Sequence, residues 1–151
     1  MRETNTPLRV YRPLGARIVS ATSALVLVVL LAFMWLTLPS RVRAQFGTFQ
    51  RLTLLSFFVV VLFLLYGVFR TRVTASERGI SVTNGYHRRD FDWAEVVAIA
   101  LSSDRPWALV DLTDGSTVAL MALQAADGAR ARRSTRELSA MVSDRARLDP
   151  G

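Results

Sequence analysis

Leu52–Phe69 reads LTLLSFFVVVLFLLYGVF, eighteen residues with no formal charge, apolar on every side and without an amphipathic stripe. As a helix it would extend about 27 Å, close to the roughly 30 Å hydrocarbon core of a bilayer. Upstream, Ile18–Ser40 is a second uncharged stretch, bounded by Arg17 and Arg41, and its portion to Leu38 would reach about 31 Å. A pair of buried helices in a soluble protein would need a shell around them. The 79 residues from Val73 onward are too few to wrap two such cylinders. The expectation is two membrane spans, 18–38 and 52–69, joined by a loop over 39–51.

The charge of the chain falls into place around these stretches. Its 151 residues carry 19 Arg, no Lys and 12 acidic residues, for a net charge of +7. Residues 1–72 hold nine Arg against one Glu, a net +8, whereas residues 73–151 hold ten Arg against eleven acids, a net −1. The excess is therefore a set of Arg collars on the apolar stretches and no basic face seeking nucleic acid. The chain has no Cys and a single His, His87. That excludes a disulfide scaffold, a Cys-ligated zinc or iron–sulfur site, a thiol nucleophile and any multi-His metal site.

Orientation is set by the positive-inside rule. The 39–51 loop carries Arg41, Arg43 and Arg51; the opposite flanks carry Arg2, Arg9, Arg12, Arg17, Arg70, Arg72 and Arg78. Seven against three places both termini in the cytoplasm, with Arg12, Arg17, Arg70 and Arg72 as the closest determinants. Trp35 and Tyr66 fit interfacial aromatics. A cleaved signal peptide is the competing reading of the first span, but its apolar region exceeds the usual 7–15 residues and Arg flanks the Val42-Arg43-Ala44 cut. Even then the second span would return the C-terminal part of the chain to the cytoplasm. Ser20 and Ala24 put small residues four apart, which lets a neighbouring helix approach. No Asp, Glu, Arg or His lies inside either span, so neither a proton relay nor an ion pathway is indicated.

From Val73 the texture changes to short apolar runs separated by turn signals. Ile80 and Val82 alternate with Ser81 and Thr83 before Asn84-Gly85, and Phe91 and Trp93 alternate with Asp90 and Asp92 on the way back. Val96–Leu101 is a continuous apolar run. Trp107–Thr113 and Ser116–Leu123 flank Asp114-Gly115. About five strands in a meander are expected. A terminal helix comes next, with Ala131, Leu138, Met141 and Val142 on one face; either Asp127 or a Ser134–Glu137 capping box could start it. Residues 148–151 read as a frayed tail.

The run Glu77–Asn84, then Asp92-Trp93 leading into Ala94–Ile99, then Arg105-Pro106-Trp107-Ala108-Leu109, Asp114-Gly115 and Ala122-Leu123-Gln124 resembles bacterial pleckstrin-homology (PH)-like domains. More closely it resembles the actinobacterial membrane-anchored group of the low-molecular-weight protein antigen 6 type. The resemblance covers roughly residues 70–145. It implies a PH-like partly open barrel with a C-terminal helix, after two spans, and no established enzymatic activity. Eukaryotic PH domains that bind phosphoinositides gather several basic residues in the first hairpin. Here that hairpin offers His87, Arg88 and Arg89, and neighbours in a regular strand point to opposite faces. A solvated tip and contact with anionic headgroups both remain open.

Catalytic chemistry finds no constellation. Asp90 with Asp92, and Asp111 with Thr113, could share a face, yet each alternates with core-facing residues. His87 has no sequence-local partner, and the Gly residues form no phosphate loop. Trp107, beside Pro106, is either a core anchor or an exposed partner contact. Arg130, Arg132, Arg133 and Arg136 open the terminal helix, where positive charge opposes the helix dipole; Arg130 and Arg133 are candidates for lipid or an acidic partner, against a plainly solvated face. The expected protein is non-catalytic, without cofactor, metal, nucleic acid or small-molecule substrate. It would have a cytoplasmic tail (1–17), the hairpin, and a cytoplasmic PH-like domain (70–147) at the plasma membrane, acting as an adaptor or scaffold for an unidentified protein; the alternatives are anionic-lipid binding or an accessory subunit of a larger membrane complex.

Overall fold

The computed structural model describes residues 7–148; Arg2 and positions 149–151 of the expected tail lie outside the described residues. Two compact units form: residues 16–69, and a β-rich unit made of the chain before them together with residues 70–151.

The first unit contains helix α1 (Leu14–Thr37, whose first two residues belong to the β-rich unit), a short helix α2 (Ser40–Gln45) and helix α3 (Thr48–Arg70). Both α1 and α3 are long and apolar enough to cross a membrane. Their apolar windows are only 6% buried, which sets them apart from the core helices of a soluble protein. The residues they do bury are small, Ser20 and Gly67. The 39–51 segment, expected as plain loop, is thus largely helical. It turns by Gly47 N–H donating to Gln50 Oε1 at 2.7 Å and by the Arg51 guanidinium donating to the Arg43 carbonyl at 3.1 Å. Trp35 meets Phe46 edge-on at 6.1 Å. At the opposite end Arg17 lies over the Phe69 ring at 4.2 Å, a cation–π contact between the ends of α1 and α3.

Among the described residues the β-rich unit has seven strands, where about five were expected from Val73 onward. Strands β1 (Pro7–Tyr11), β2 (Arg72–Ser76), β3 (Gly79–Asn84) and β4 (His87–Asp92) form one sheet in that order; β5 (Val96–Ala100), β6 (Trp107–Leu112) and β7 (Thr117–Gln124) form the second. All pairs are antiparallel. Helix α4 (Ala129–Leu148) closes the unit. The strand missed at the front is the consequential one. Residues 1–17 read as a tail, yet Arg9, Val10 and Tyr11 pair with Ala75, Thr74 and Val73 of β2. The two strands flank the apolar pair directly, one ahead of α1 and one after α3. The pair is therefore an insertion between the first and second strands of a single sheet.

The core lies between the sheets and α4. Val73, Val110, Leu120 and Leu138 are completely buried, with Ile80 and Val82 nearly so. The expected apolar stripe of the terminal helix is where these side chains meet it: Ala131, Leu138 and Val142 are buried and Met141 packs beside them. The helix begins right after Asp127-Gly128, so Ser134–Glu137 is its second turn and no start signal. Gly128 supplies the positive φ of 57° needed there. Between the sheets a short 3-10 turn (Trp93–Glu95) is held by Asp92 N–H donating to Glu95 Oε2 at 2.9 Å.

Candidate functional site

The β3–β4 hairpin carries three of the sequence-level candidates. Asn84 pairs with His87, Thr83 with Arg88 and Val82 with Arg89, so Arg88 and Arg89 point to opposite faces as the strand period requires. Arg88 is engaged within its own strand: Nε and Nη2 each lie 3.1 Å from Asp90 Oδ1. The Ser81 hydroxyl bonds the same carboxylate and does most to lower its pKa; burial opposes it, and Arg88 adds to the lowering. That contribution is present above the ordinary aspartate pKa and is lost as pH falls through the lowered one. The hairpin tip packs back on the start of the domain: Gly85 N–H donates to the Thr71 hydroxyl at 3.2 Å, and Arg70 lies 5.8 Å from the Tyr86 ring centre. The three basic residues do not converge on one pocket. Arg72 opens β2 with its side chain exposed.

Trp107 and Trp93 are both half-buried. Trp93 packs against the core and donates Nε1–H to the Ser76 carbonyl at 2.9 Å. Trp107 pairs with Gln124 beyond an irregularity in the β6–β7 register; it is neither fully core nor fully displayed. Asp92 and Asp111 likewise take structural roles: Asp92 starts the 3-10 turn, and Asp111 accepts a hydrogen bond from Thr117 at 3.1 Å. Among the described residues no group of three or more His, Cys, Asp or Glu side chains could hold a metal.

The remaining candidates gather at the first turn of α4. Asp127, just ahead of it, accepts both leading amides of α1: Leu14 N–H to Oδ2 at 3.1 Å and Gly15 N–H to Oδ1 at 3.0 Å. A carboxylate there satisfies two otherwise orphaned donors and favours the positive helix end. Gly15 is required by this clasp, because a Cβ at that position would lie 2.8 Å from Asp127 Oδ1. Asp127→Ala should cost about 1 kcal/mol, lowering the unfolding midpoint of the β-rich unit by roughly 4–8 °C in detergent. Circular dichroism melting of the full chain checks this.

Beside the clasp lies a pocket of about 60 Å³ whose lining includes Tyr11, Arg12, Asp127, Arg130 and Ser134. Arg133 is exposed and is not among its walls. Tyr11 is buried, and its hydroxyl has no hydrogen-bond partner among the described residues. Burial raises its pKa, nearby Glu137 adds to that and Arg9 opposes it. Arg9 reaches across to Glu137 at 3.6 Å and so ties β1 to α4. Sequence reasoning found Arg12 and Arg130 separately, one as a topology determinant and one as a helix cation. Nothing in their spacing signalled that β1 brings them together.

Two antiparallel sheets of four and three strands closed by a C-terminal helix are the PH-like arrangement, and residues 70–140 match the model of the bacterial PH domain family. The β-rich unit thus contains a segment similar to the bacterial PH domain family, and the family match begins only after β1. Uncharacterized proteins of Mycobacterium bovis and of two Mycobacterium tuberculosis strains are 36% identical over 62 residues, 41% of this chain. The chain spans about 40% of the length of each of these curated relatives. No solved structure matches.

Proposed function

We propose that the protein is a non-catalytic adaptor, an integral membrane protein that holds its PH-like domain at the cytoplasmic face of the plasma membrane to bind another protein. The observation that carries this reading is the β1–β2 pairing around two membrane-length apolar helices. Strands paired in one sheet lie on one side of a bilayer, so the intervening helices cross as a hairpin. The Arg balance of seven against three makes that side the cytoplasm. Residues 7–15 and 70–147 then form one cytoplasmic body, with 39–51 outside.

Protein binding is favoured at β5. It ends the second sheet, with β6 on one side and no strand on the other among the described residues. Its sequence, VVAIA, has no charge to blunt that edge, and Val97 is 57% exposed. The edge at β4 is guarded by Arg88 and Asp90 instead. Helix α4 packs against β5, and an uncharged edge accepts an added strand from a partner where the helix leaves it open. A photo-crosslinking residue at position 97 of the full chain in living cells should capture a discrete partner, and Val97→Glu should abolish the capture of that partner at a neighbouring probe. Capture unchanged by Val97→Glu would contradict the edge assignment. Separately, a reporter fused after Gly151 should be active only in the cytoplasm; activity on the outer side would overturn the topology.

A further inference from the structure

The pocket at the first turn of α4 sets four donor side chains beside the Asp127 carboxylate and an apolar floor that includes Ala122 and Leu123. Arg12 and Arg130 contribute guanidinium groups, Ser134 a hydroxyl, and Tyr11 lines it with a buried hydroxyl that has no partner among the described residues. The helix offers no counter-charge of its own: its first turn contains no acid. Gly128 precedes it without a side chain to cap the leading amides, and none of the described side chains accepts from them. Orphaned N–H groups and a positive dipole end thus face added positive charge, an unfavourable arrangement in isolation. Both nearby carboxylates are already committed, Asp127 to the α1 amides and Glu137 to Arg9. At about 60 Å³ the pocket is several times the space that one water needs, which suits a single small oxyanion.

We propose that Tyr11, Arg12, Arg130, Ser134 and the leading amides of α4 bind one phosphate group, and that this phosphate is the headgroup phosphate of an anionic phospholipid. Phosphate fits because a helix N-terminus with paired guanidinium groups supplies both charge and convergent donors. The lipid source is indicated by position. Asp127 lines the pocket and holds the amides of Leu14 and Gly15, and the uncharged stretch of α1 begins at Ile18. That places the pocket at headgroup depth if α1 crosses a membrane. The lipid source rests on the membrane reading above; the phosphate chemistry does not. The site is separate from the β3–β4 hairpin, whose Arg88 is held by Asp90.

Full-length protein in mild non-ionic detergent tests both parts. In the first arm, inorganic phosphate is titrated against chloride at constant ionic strength, with thermal unfolding of the β-rich unit as the readout. In the second, native mass spectrometry measures retention of phosphatidylglycerol against phosphatidylcholine. Wild type should be stabilised by phosphate and should retain phosphatidylglycerol. Arg12→Gln with Arg130→Gln should abolish both responses, whereas Arg88→Gln should change neither. Tyr11→Phe should weaken both about tenfold, the loss of a hydrogen bond to a charged group. Without phosphate it should melt no lower than wild type, since it removes a buried, unpartnered hydroxyl. A phosphate response without selective lipid retention overturns the lipid source and keeps the anion site. Absence of both responses, or responses unchanged in the Arg12/Arg130 double variant, overturns the site itself.

Discussion

A chain that starts at Arg12 should lose the cooperative fold of its β-rich unit, although it retains every residue of the family-matched segment. Tyr11 is a core residue, 7% exposed, and its strand covers β2, where Val73 and Ala75 are fully buried. Removing a buried aromatic alone costs about 3–5 kcal/mol. The truncation also uncovers Val73 and Ala75, unpairs the backbone of β2 and breaks the Arg9–Glu137 link between β1 and α4. Against a typical domain stability of about 5–15 kcal/mol, the sum is enough to unfold it. Residues 70–151 expressed alone should therefore be molten or insoluble. Joining residues 1–12 to residues 72–151 through Asn-Gly should restore a soluble, cooperatively melting domain, because Tyr11 and Val73 are already cross-strand partners and a two-residue turn closes an antiparallel pair. If 70–151 alone melts as cooperatively as the rejoined chain, β1 is dispensable.

The second large effect is expected at Gly79, the first residue of β3. A Cβ there would collide with the Phe91 carbonyl oxygen and lie 2.8 Å from its carbon. These are backbone atoms, so relief requires moving β4 as a whole. Gly79→Ala should cost at least the 1–3 kcal/mol usual for overpacking, and about 3 kcal/mol or more here because no side chain can rotate away. It would disturb the Gly79–Asp92 pairing, the Trp93 N–H bond to the Arg78 carbonyl at 3.2 Å and the Ser76 hydroxyl bond to the Gly79 carbonyl at 2.9 Å. Gly115→Ala provides the contrast. Its φ is +81° but nothing lies within 4 Å, so only conformational strain of about 1–2 kcal/mol applies. Denaturant or thermal melting of the two variants should rank Gly79→Ala well below Gly115→Ala; the reverse order would show that the β3–β4 approach is not as close as described.

The parts of the fold that were legible in the sequence are those with a strong local signal. The apolar stretches announce themselves by length and by their Arg boundaries. The β3–β4 and β6–β7 hairpins are marked by Asn84-Gly85 and Asp114-Gly115, and α4 by its Ala131, Leu138, Met141 and Val142 face. Strand β1 carries a two-residue alternation, Leu8 and Val10 against Arg9 and Tyr11, but only over PLRVY and amid collar arginines. Its partner β2, RVTAS, is weakened by Ala75 and Ser76, which have little strand preference. Both strands exist because they find each other, and that pairing spans some sixty residues of chain. No local pattern reports it. The candidate site was illegible for the same reason: Arg12 and Arg130 meet only through β1, and the Asp127 clasp on α1 is a contact between residues 112 and 113 positions apart. Arg88 and Arg89 were readable as divergent from strand alternation alone.

In the intact protein the strand that precedes α1 pairs with the strand after α3. Because the chain has no native cysteine, Val10→Cys with Thr74→Cys isolates that pairing. A protease site placed between Gln45 and Thr48 of the full chain allows the product to be cut in isolated membranes. After mild oxidation and cleavage, the two fragments should migrate as one species on a non-reducing gel and separate on reduction. Fragments that separate without reductant, or cysteines that link only between different copies of the chain, would contradict a sheet closed around the apolar pair.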